Sequence, residues 1–239
     1  MKVKLFNIEI DALSMRQTLD IVEDAVANDK HIHHTVVNAG KIVLMQEDKE
    51  LEKSINEADL INADGQAVVW ASKMLGSPLP ERVSGIDLME KLVKRSFEKG
   101  YRCYFLGAEE DVVSNLITLY KKKYSNNVIA GYRNGYFKKS DEKRIAKVIS
   151  QSNANILFVA ITSPKKEIFL NTYKKELKNI NFIMGVGGSF DVIAGKVNRA
   201  PKWMQDIGFE WLYRVIQEPR RMFMRYLVGN TKFIYLVLK

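Results

Sequence analysis

Short apolar segments alternate with longer amphipathic segments along most of this 239-residue chain. The apolar segments predict strands at 34–38, 58–62, 102–106, 128–132, 156–160 and 182–186. The amphipathic segments predict helices at 14–27, 41–55, 66–74, 85–99, 111–123, 141–150 and 165–177. Several of the strands are apolar on both faces, as are strands that lie between two helix layers. The sequence therefore predicts an α/β domain built on a parallel sheet, and residues 101–195 resemble a Rossmann-type unit.

Polar and glycine residues follow five of the predicted strands. They are Asn38, Asp64-Gly65, Gly107, Ser163–Glu167 and Gly187-Gly188. In parallel α/β sheets, ligands bind beyond the carboxyl ends of the strands, where such loops converge. We therefore expect these five loops to build one cleft.

The chain changes character after Gly195. Residues 196–239 carry nine Lys and Arg against three Asp and Glu, so they hold +6 of the net charge of +9. Aromatic residues are mixed with these cations over two predicted helices, 204–217 and 220–238. We expect a core at 1–195 and a C-terminal helical appendage at 196–239. A basic appendage on a nearly neutral core indicates an anionic surface or ligand rather than nucleic acid.

The sequence has no apolar run near the ~20 residues that a membrane-spanning helix needs. Its N-terminus alternates like a strand and does not resemble a signal peptide. Any membrane contact is therefore expected to be peripheral. The single cysteine, Cys103, fits a reducing cytoplasm and is expected to be a small apolar residue in its strand.

Two acidic segments admit both a structural and a functional interpretation. Asp64 lies in a turn before a helix, where it could cap that helix or accept a proton from a substrate hydroxyl. Ser84 and Asp87 have the spacing of a capping box. Arg82, two residues before Ser84, could bind phosphate or lie on the surface.

The glycine-rich turn at 185–188 could present backbone N–H groups to an anion. It lacks the dinucleotide-binding spacing, and the chain has no P-loop, which disfavours a Rossmann oxidoreductase. The cluster His31, His33 and His34 has no Cys or carboxylate at ligand spacing, so no metal is expected. The arginines of the appendage favour phosphate or lipid headgroups over a salt-bridged surface helix.

The whole chain resembles the WecG/TagA/CpsF family of bacterial glycosyltransferases. The resemblance is carried by Asn38, Ala63-Asp-Gly, Glu81–Leu88, Tyr104–Gly107, Ser163–Glu167 and the long segment Gly185–Arg221. It implies inverting transfer of N-acetylmannosamine, or its uronic acid, from a UDP-sugar. The implied acceptor is N-acetylglucosamine on undecaprenyl diphosphate, and the teichoic-acid linkage-unit enzymes are the most similar branch.

The resemblance also implies roles for individual residues. Asp64 would be the catalytic base, Arg82 would lie in the substrate cleft, and the C-terminal arginines would contact diphosphate. The other residues that it places at the substrates are Thr35, Asn38, Asp87, Gly107, Lys166, Glu167, Gly187, Gly188, Asp191, Arg214, Arg221 and Arg225. No cofactor is implied. The implied location is the inner face of the bacterial cell membrane, on the cytoplasmic side, with self-association away from the membrane.

The chain departs from the family pattern at two positions. Val36 stands where a threonine is usual, although Thr35 is adjacent, and Lys166 stands where a glutamine is usual. These departures leave three donor classes open, namely UDP-N-acetylmannosamine, its uronic acid and another UDP-hexose. The residues alone also leave open a non-catalytic protein that binds a nucleotide or polyanion and uses its basic tail for nucleic acid.

Overall fold

The computed structural model describes residues 1–239, apart from the side chains of Arg221 and Arg225. The strands are β1 (Lys2–Leu5), β2 (Ile8–Asp11), β3 (Ile32–Val37), β4 (Leu60–Ala63), β5 (Cys103–Gly107), β6 (Ile129–Arg133), β7 (Ile156–Ala160) and β8 (Phe182–Gly185). The helices of the first 150 residues are α1 (Met15–Ala27), α2 (Ala39–Glu47), α3 (Lys49–Asn56), α4 (Gln66–Met74), α5 (Gly85–Lys99), α6 (Glu110–Lys123) and α7 (Glu142–Ser150). The remaining helices are α8 (Lys165–Thr172), α9 (Ser189–Ile193), α10 (Lys202–Asp206), α11 (Glu210–Gln217) and α12 (Pro219–Leu238).

Six strands form one parallel sheet in the order β4-β3-β8-β7-β5-β6. Helices cover both faces of this sheet, because the strands bury side chains in both directions. Along β7, Phe158 packs into one apolar cluster while Leu157 and Val159 pack into another. The predicted fold class, a Rossmann-like parallel sheet followed by a helical appendage, is confirmed.

The N-terminal segment differs from its prediction as one strand. It folds into an antiparallel hairpin of β1 and β2, separate from the main sheet. Phe6 and Asn7, at the turn, have φ values of 50° and 64°, which is the left-handed geometry of a tight hairpin turn. The alternating pattern identified strand structure there, but a two-residue turn of ordinary side chains carries little signal.

Two predicted helices are each divided in two. The helix predicted at 41–55 is interrupted at Asp48, whose Oδ1 accepts a hydrogen bond from Leu51 N at 2.9 Å and so caps α3. The helix predicted at 204–217 is broken at Gly208, which has a φ of +77°. The apolar spacing continues across both breaks, so periodicity alone did not reveal them.

Helix α12 has two apolar faces. Met222 and Phe233 lie on one face and are each 4% exposed, and the Phe233 ring lies 5.4 Å from that of Phe6 in the hairpin. An ion pair of 2.6 Å between Lys232 and Glu47 also ties α12 to α2. The other side is exposed, and its large apolar side chains include Phe223, Leu227, Ile234 and Leu238, which follow helical spacing.

Candidate active site

A cleft of about 2230 Å³ lies at the carboxyl ends of the sheet strands. It is lined by residues from the loops after β3, β4, β5, β7 and β8, as the strand-end pattern predicts. Helices α11 and α12 complete its wall, so residues of the appendage face residues of the core across it.

Asp64 lies on the floor of this cleft, immediately after β4. It is not a helix cap, because Gly65 is the N-cap of α4. Its Oδ1 instead accepts a hydrogen bond of 3.2 Å from Gly85 N, at the start of α5. Burial raises the pKa of Asp64 to about 6, and the Glu210 carboxylate adds to this, against the lowering effects of Arg82, the Gly85 N–H and Lys41. A carboxylate with this pKa is suited to accept a proton near neutral pH.

A chain of ion pairs joins the core to the appendage beside Asp64. Arg82 Nη2 lies 3.4 Å from Glu210 Oε2, and Glu210 Oε1 lies 3.6 Å from Arg199 Nε. Arg199 in turn forms two hydrogen bonds, of 2.6 and 2.8 Å, to the carboxylate of Asp87 on α5. These contacts hold Arg82 in the cleft and fix the start of α11 against α5.

The spacing of Ser84 and Asp87 does not produce a capping box. Ser84 is the N-cap of α5, but its side chain makes no capping hydrogen bond. Burial would raise the pKa of Asp87, yet its hydrogen bonds and charge attraction to Arg199 outweigh burial, and the pKa is lowered. Asp87 therefore acts as the partner of an arginine that lies 112 residues away in sequence, which local spacing does not indicate.

A second ionic cluster forms the opposite part of the floor. Glu167 Oε1 lies 2.8 Å from Lys41 Nζ and 2.6 Å from Lys166 Nζ, and all three side chains are nearly buried. Glu167 Oε2 also accepts a hydrogen bond of 3.0 Å from Ser163 Oγ. Burial opposes ionisation of Glu167, but the two ammonium groups outweigh it and lower its pKa to about 2. Lys41 and Lys166 line the cleft, whereas Glu167 lies behind them and holds them.

Replacing Glu167 with glutamine is expected to destabilise the fold by about 3 kcal/mol, because two buried ammonium groups lose their counter-charge. Glu167 has a depressed pKa, so its contribution is fully present above pH 4.5 and is lost as the pH falls towards 2. Thermal melts at pH 7 should show a decrease of roughly 6–12 °C. Glu57→Gln is the control, because its pair with Lys174 is about 39% exposed and should contribute less than about 1 kcal/mol. Equal melting temperatures for the two variants would contradict the role of Glu167.

Glycines shape the cleft at two strand ends. Gly107 has a φ of +141°, and a Cβ there would lie 2.4 Å from the backbone oxygen of Ala160, so only glycine fits. Gly187 has a φ of +53° in the turn after β8. Gly187 and Gly188 line the cleft, whereas Gly107 shapes it through the backbone.

The remaining predicted site residues divide into two groups. Asn38 lines the cleft, and its Oδ1 accepts a hydrogen bond of 3.0 Å from Lys41 N, so it caps α2. Asp191 and Arg214 also line the cleft, and Arg214 Nη1 would lie 3.9 Å from a Cβ placed at Gly188. Thr35 is different, because it is 5% exposed within β3 and its neighbour Val36 reaches the cleft instead.

The predictions for Arg221 and Arg225 fall on side chains outside the described part of the chain. Cys103 is buried as expected, and burial raises the pKa of its thiol to about 12. His33 and His34 are also buried, and His34 Nε2 lies 2.9 Å from Asn62 Oδ1. Burial lowers the pKa of His34 to about 3. Among the described side chains, no group of three His, Cys, Asp or Glu residues is placed to hold a metal ion.

Three residues of this region were not singled out from the sequence as site residues, namely Lys41, Arg199 and Glu210. Each looks like an ordinary surface charge in its own segment. The only local signal was the position of Lys41, one helical turn after the strand-end residue Asn38. Their partners in the core, Asp87 for Arg199 and Arg82 for Glu210, lie more than 100 residues away in sequence, so only tertiary contacts reveal them.

The sequence is similar to one family of glycosyltransferases and to two of its named members. A sequence model described as "Glycosyl transferase WecG/TagA/CpsF family" matches residues 3–239. A protein of Bacillus spizizenii (strain ATCC 23059 / NRRL B-14472 / W23) is 36% identical over 188 residues, which are 79% of this chain and 71% of that protein. A protein of Bacillus subtilis (strain 168) is 33% identical over 192 residues, 80% of this chain and 73% of that protein. Both relatives are named N-acetylglucosaminyldiphosphoundecaprenol N-acetyl-beta-D-mannosaminyltransferase.

Proposed function

The chain belongs to the WecG/TagA/CpsF family of glycosyltransferases, and from this membership we propose its reaction. The enzyme transfers N-acetylmannosamine from UDP-N-acetylmannosamine to N-acetylglucosamine carried on undecaprenyl diphosphate. This is the activity in the names of the two Bacillus relatives. It would serve the synthesis of a cell-wall polymer of the teichoic-acid type.

The observation that carries this proposal is the position of Asp64, on the cleft floor between charged residues of the core and the appendage. Asp64 takes the proton from the acceptor hydroxyl while that oxygen attacks the anomeric carbon of the donor. The bond from this carbon to the UDP oxygen breaks on the opposite side, and the sugar configuration inverts. One carboxylate suffices, because the reaction forms no covalent enzyme intermediate.

The departing diphosphate needs positive charge to stabilise it. Lys41 and Lys166 on the floor, Arg82 near Asp64, and Arg214 beside the turn Gly187-Gly188 supply cations around one cleft. Their convergence favours a substrate that carries two phosphates over a neutral ligand.

We also propose that the enzyme works at the inner face of the bacterial membrane. None of the helices that the structure describes is both long and apolar enough to cross a bilayer. The exposed face of α12 presents Phe223 and Leu227, and Ile216 on α11 is 67% exposed. Apolar side chains beside a basic segment suit the surface of an anionic membrane, where a lipid-linked acceptor would be found.

The test is transfer of radiolabelled N-acetylmannosamine from its UDP donor to a synthetic prenyl-diphosphate N-acetylglucosamine. A lipid product with one added sugar supports the proposal. If product forms from another UDP-hexose and none forms from UDP-N-acetylmannosamine, that UDP-hexose is the donor instead. Binding of UDP without transfer to any acceptor would favour a non-catalytic nucleotide-binding protein.

Lys166 is expected to influence the choice of donor. Its side chain lies against Gly185, where an added Cβ would come within 2.9 Å of Lys166 Cδ, and its ammonium group is held at the cleft by Glu167. A carboxylate on the donor sugar would gain a charge-assisted hydrogen bond from this position. Lys166→Gln should therefore lower the rate with the uronic-acid donor, relative to UDP-N-acetylmannosamine, by about tenfold. An unchanged ratio of the kcat/KM values for the two donors would contradict a role for Lys166 in donor choice.

A further inference from the structure

Glu210 bridges two arginines that approach it from different parts of the chain. Its Oε2 lies 3.4 Å from Arg82 Nη2, and its Oε1 lies 3.6 Å from Arg199 Nε. The three side chains are only 15–20% exposed, so solvent screens these contacts less than it screens a surface pair. Glu210 is the first residue of α11 and belongs to the appendage, whereas Arg82 belongs to the core.

The position of Glu210 is itself fixed by the core. Arg199 holds Glu210 and is anchored by its two short hydrogen bonds to Asp87 on α5. A bidentate arginine–carboxylate pair restrains both distance and plane. Asp87 on α5 is thus connected through Arg199 to Glu210, and through Glu210 to Arg82.

The charges of Arg82 and Glu210 act on Asp64. The charged groups that face it are Arg82 from the loop before α5, Glu210 from α11 and Lys41 from α2, and the Gly85 N–H donates to it. An arginine paired directly with a carboxylate strongly lowers its basicity. A base that must take a proton from a sugar hydroxyl is therefore better served when Arg82 is held by another carboxylate.

We propose that Glu210 is a positioning residue for sugar transfer, which holds Arg82 beside Asp64 without letting the two pair. The inference rests on the proposed function, in which Asp64 is the base. Arg82 then keeps its charge directed into the cleft, towards the phosphates of the donor. Asp64 keeps the basicity that its burial confers. The simpler alternative is that Glu210 only fastens α11 to the core.

The experiment combines kinetics with a titration that needs no substrate. Asp64 is followed by carboxyl ¹³C NMR in the full chain, and transfer from UDP-N-acetylmannosamine is measured with a soluble prenyl-diphosphate acceptor. The variants are Glu210→Gln, Arg82→Ala and the double variant. Glu23→Gln is the matched control, because the Glu23 carboxylate is 23% exposed and pairs with an arginine, Arg95, at 3.1 Å, and Glu23 does not line the cleft.

Glu210→Gln should move the titration midpoint of Asp64 downward by about one pH unit, since a repelling carboxylate is lost and Arg82 is released towards Asp64. It should lower kcat about tenfold, the size of one lost charge-assisted contact. In the Arg82→Ala background the same change should lower kcat by less than about twofold, because Glu210 acts through Arg82. Glu23→Gln should change neither quantity.

An unmoved Asp64 midpoint in Glu210→Gln would overturn the proposal, as would a full additional loss of kcat in the Arg82→Ala background. If Glu210→Gln does not fold, Glu210→Asp is measured in the same way. It keeps the charge but is one methylene shorter, so it should lower kcat through the lost contact with Arg82, and an unchanged kcat would overturn the proposal. A wild-type enzyme without transfer activity would refute the proposed function instead. The Asp64 titration would still test whether Glu210 keeps Arg82 from pairing with Asp64.

Discussion

Replacing Asp64 with asparagine is expected to lower kcat for sugar transfer by about three orders of magnitude, within the range for loss of a general base. Asparagine keeps the shape and can still accept the hydrogen bond from Gly85 N, so binding of UDP should stay close to wild type. The measurement is steady-state transfer with UDP titration by calorimetry. Asp20→Asn, on the exposed face of α1, is the matched control.

The pH dependence provides an independent check of the same residue. Because the pKa of Asp64 is about 6, kcat/KM of the wild type should fall about tenfold per unit below pH 6. The residual activity of Asp64→Asn should not show this acidic limb, the fall of kcat/KM below pH 6. Turnover of the variant within threefold of wild type, or a limb that persists in it, would show that another group is the base.

The stability of Asp64→Asn should change in the opposite direction to its activity. Asp64 has a folded-state pKa raised from 3.8 to about 6, so its ionised form opposes folding above pH 6. This cost disappears as the pH falls towards 3.8. The variant should therefore be more stable than wild type at pH 8, by at most about 3 kcal/mol, and equal to it near pH 4. An ionisable group that is present although its ionised form destabilises the fold is typical of catalytic sites.

Deleting residues 196–239 is expected to abolish both transfer and binding to anionic liposomes. The deletion removes Glu210 and Arg199 from the chain of ion pairs, Arg214 from the cleft, and the exposed apolar face of α12. It also uncovers the surface against which Phe233 packs, so the truncated core should self-associate. Liposome sedimentation, transfer assays and light scattering measure the three effects.

Membrane docking and closure of the site can be separated by a less drastic variant. Phe223→Ser with Leu227→Ser removes two exposed apolar side chains and leaves Glu210, Arg199 and Arg214 in place. It should lose liposome binding but retain transfer to a soluble short-chain acceptor. Binding of the wild type should also weaken with salt, because the Debye length is only about 8 Å at physiological ionic strength. Truncated protein that still binds liposomes and still transfers sugar would disprove the docking role.

The sequence by itself determined the α/β class, the position of the cleft and the place of Asp64 in it. These follow from local rules, since strands that are apolar on both faces must lie between helices, and parallel strands bring their following loops to one edge. Helices α4 and α5 begin and end where their patterns predict, because their apolar spacing is uninterrupted and turn residues flank them.

Tertiary structure alone decided which charges meet. Lys41 and Glu167 come from α2 and α8, and Arg82 and Glu210 are separated by 128 residues. Ion pairing between different elements has no sequence period, and a lysine that will be buried looks the same in sequence as one on the surface. The same limit explains Thr35, whose place inside β3 rather than at the cleft depends on which strand residues face outward at the sheet edge. Hydrophobic periodicity fixes which elements form, whereas side-chain charges find their partners only once the elements have packed.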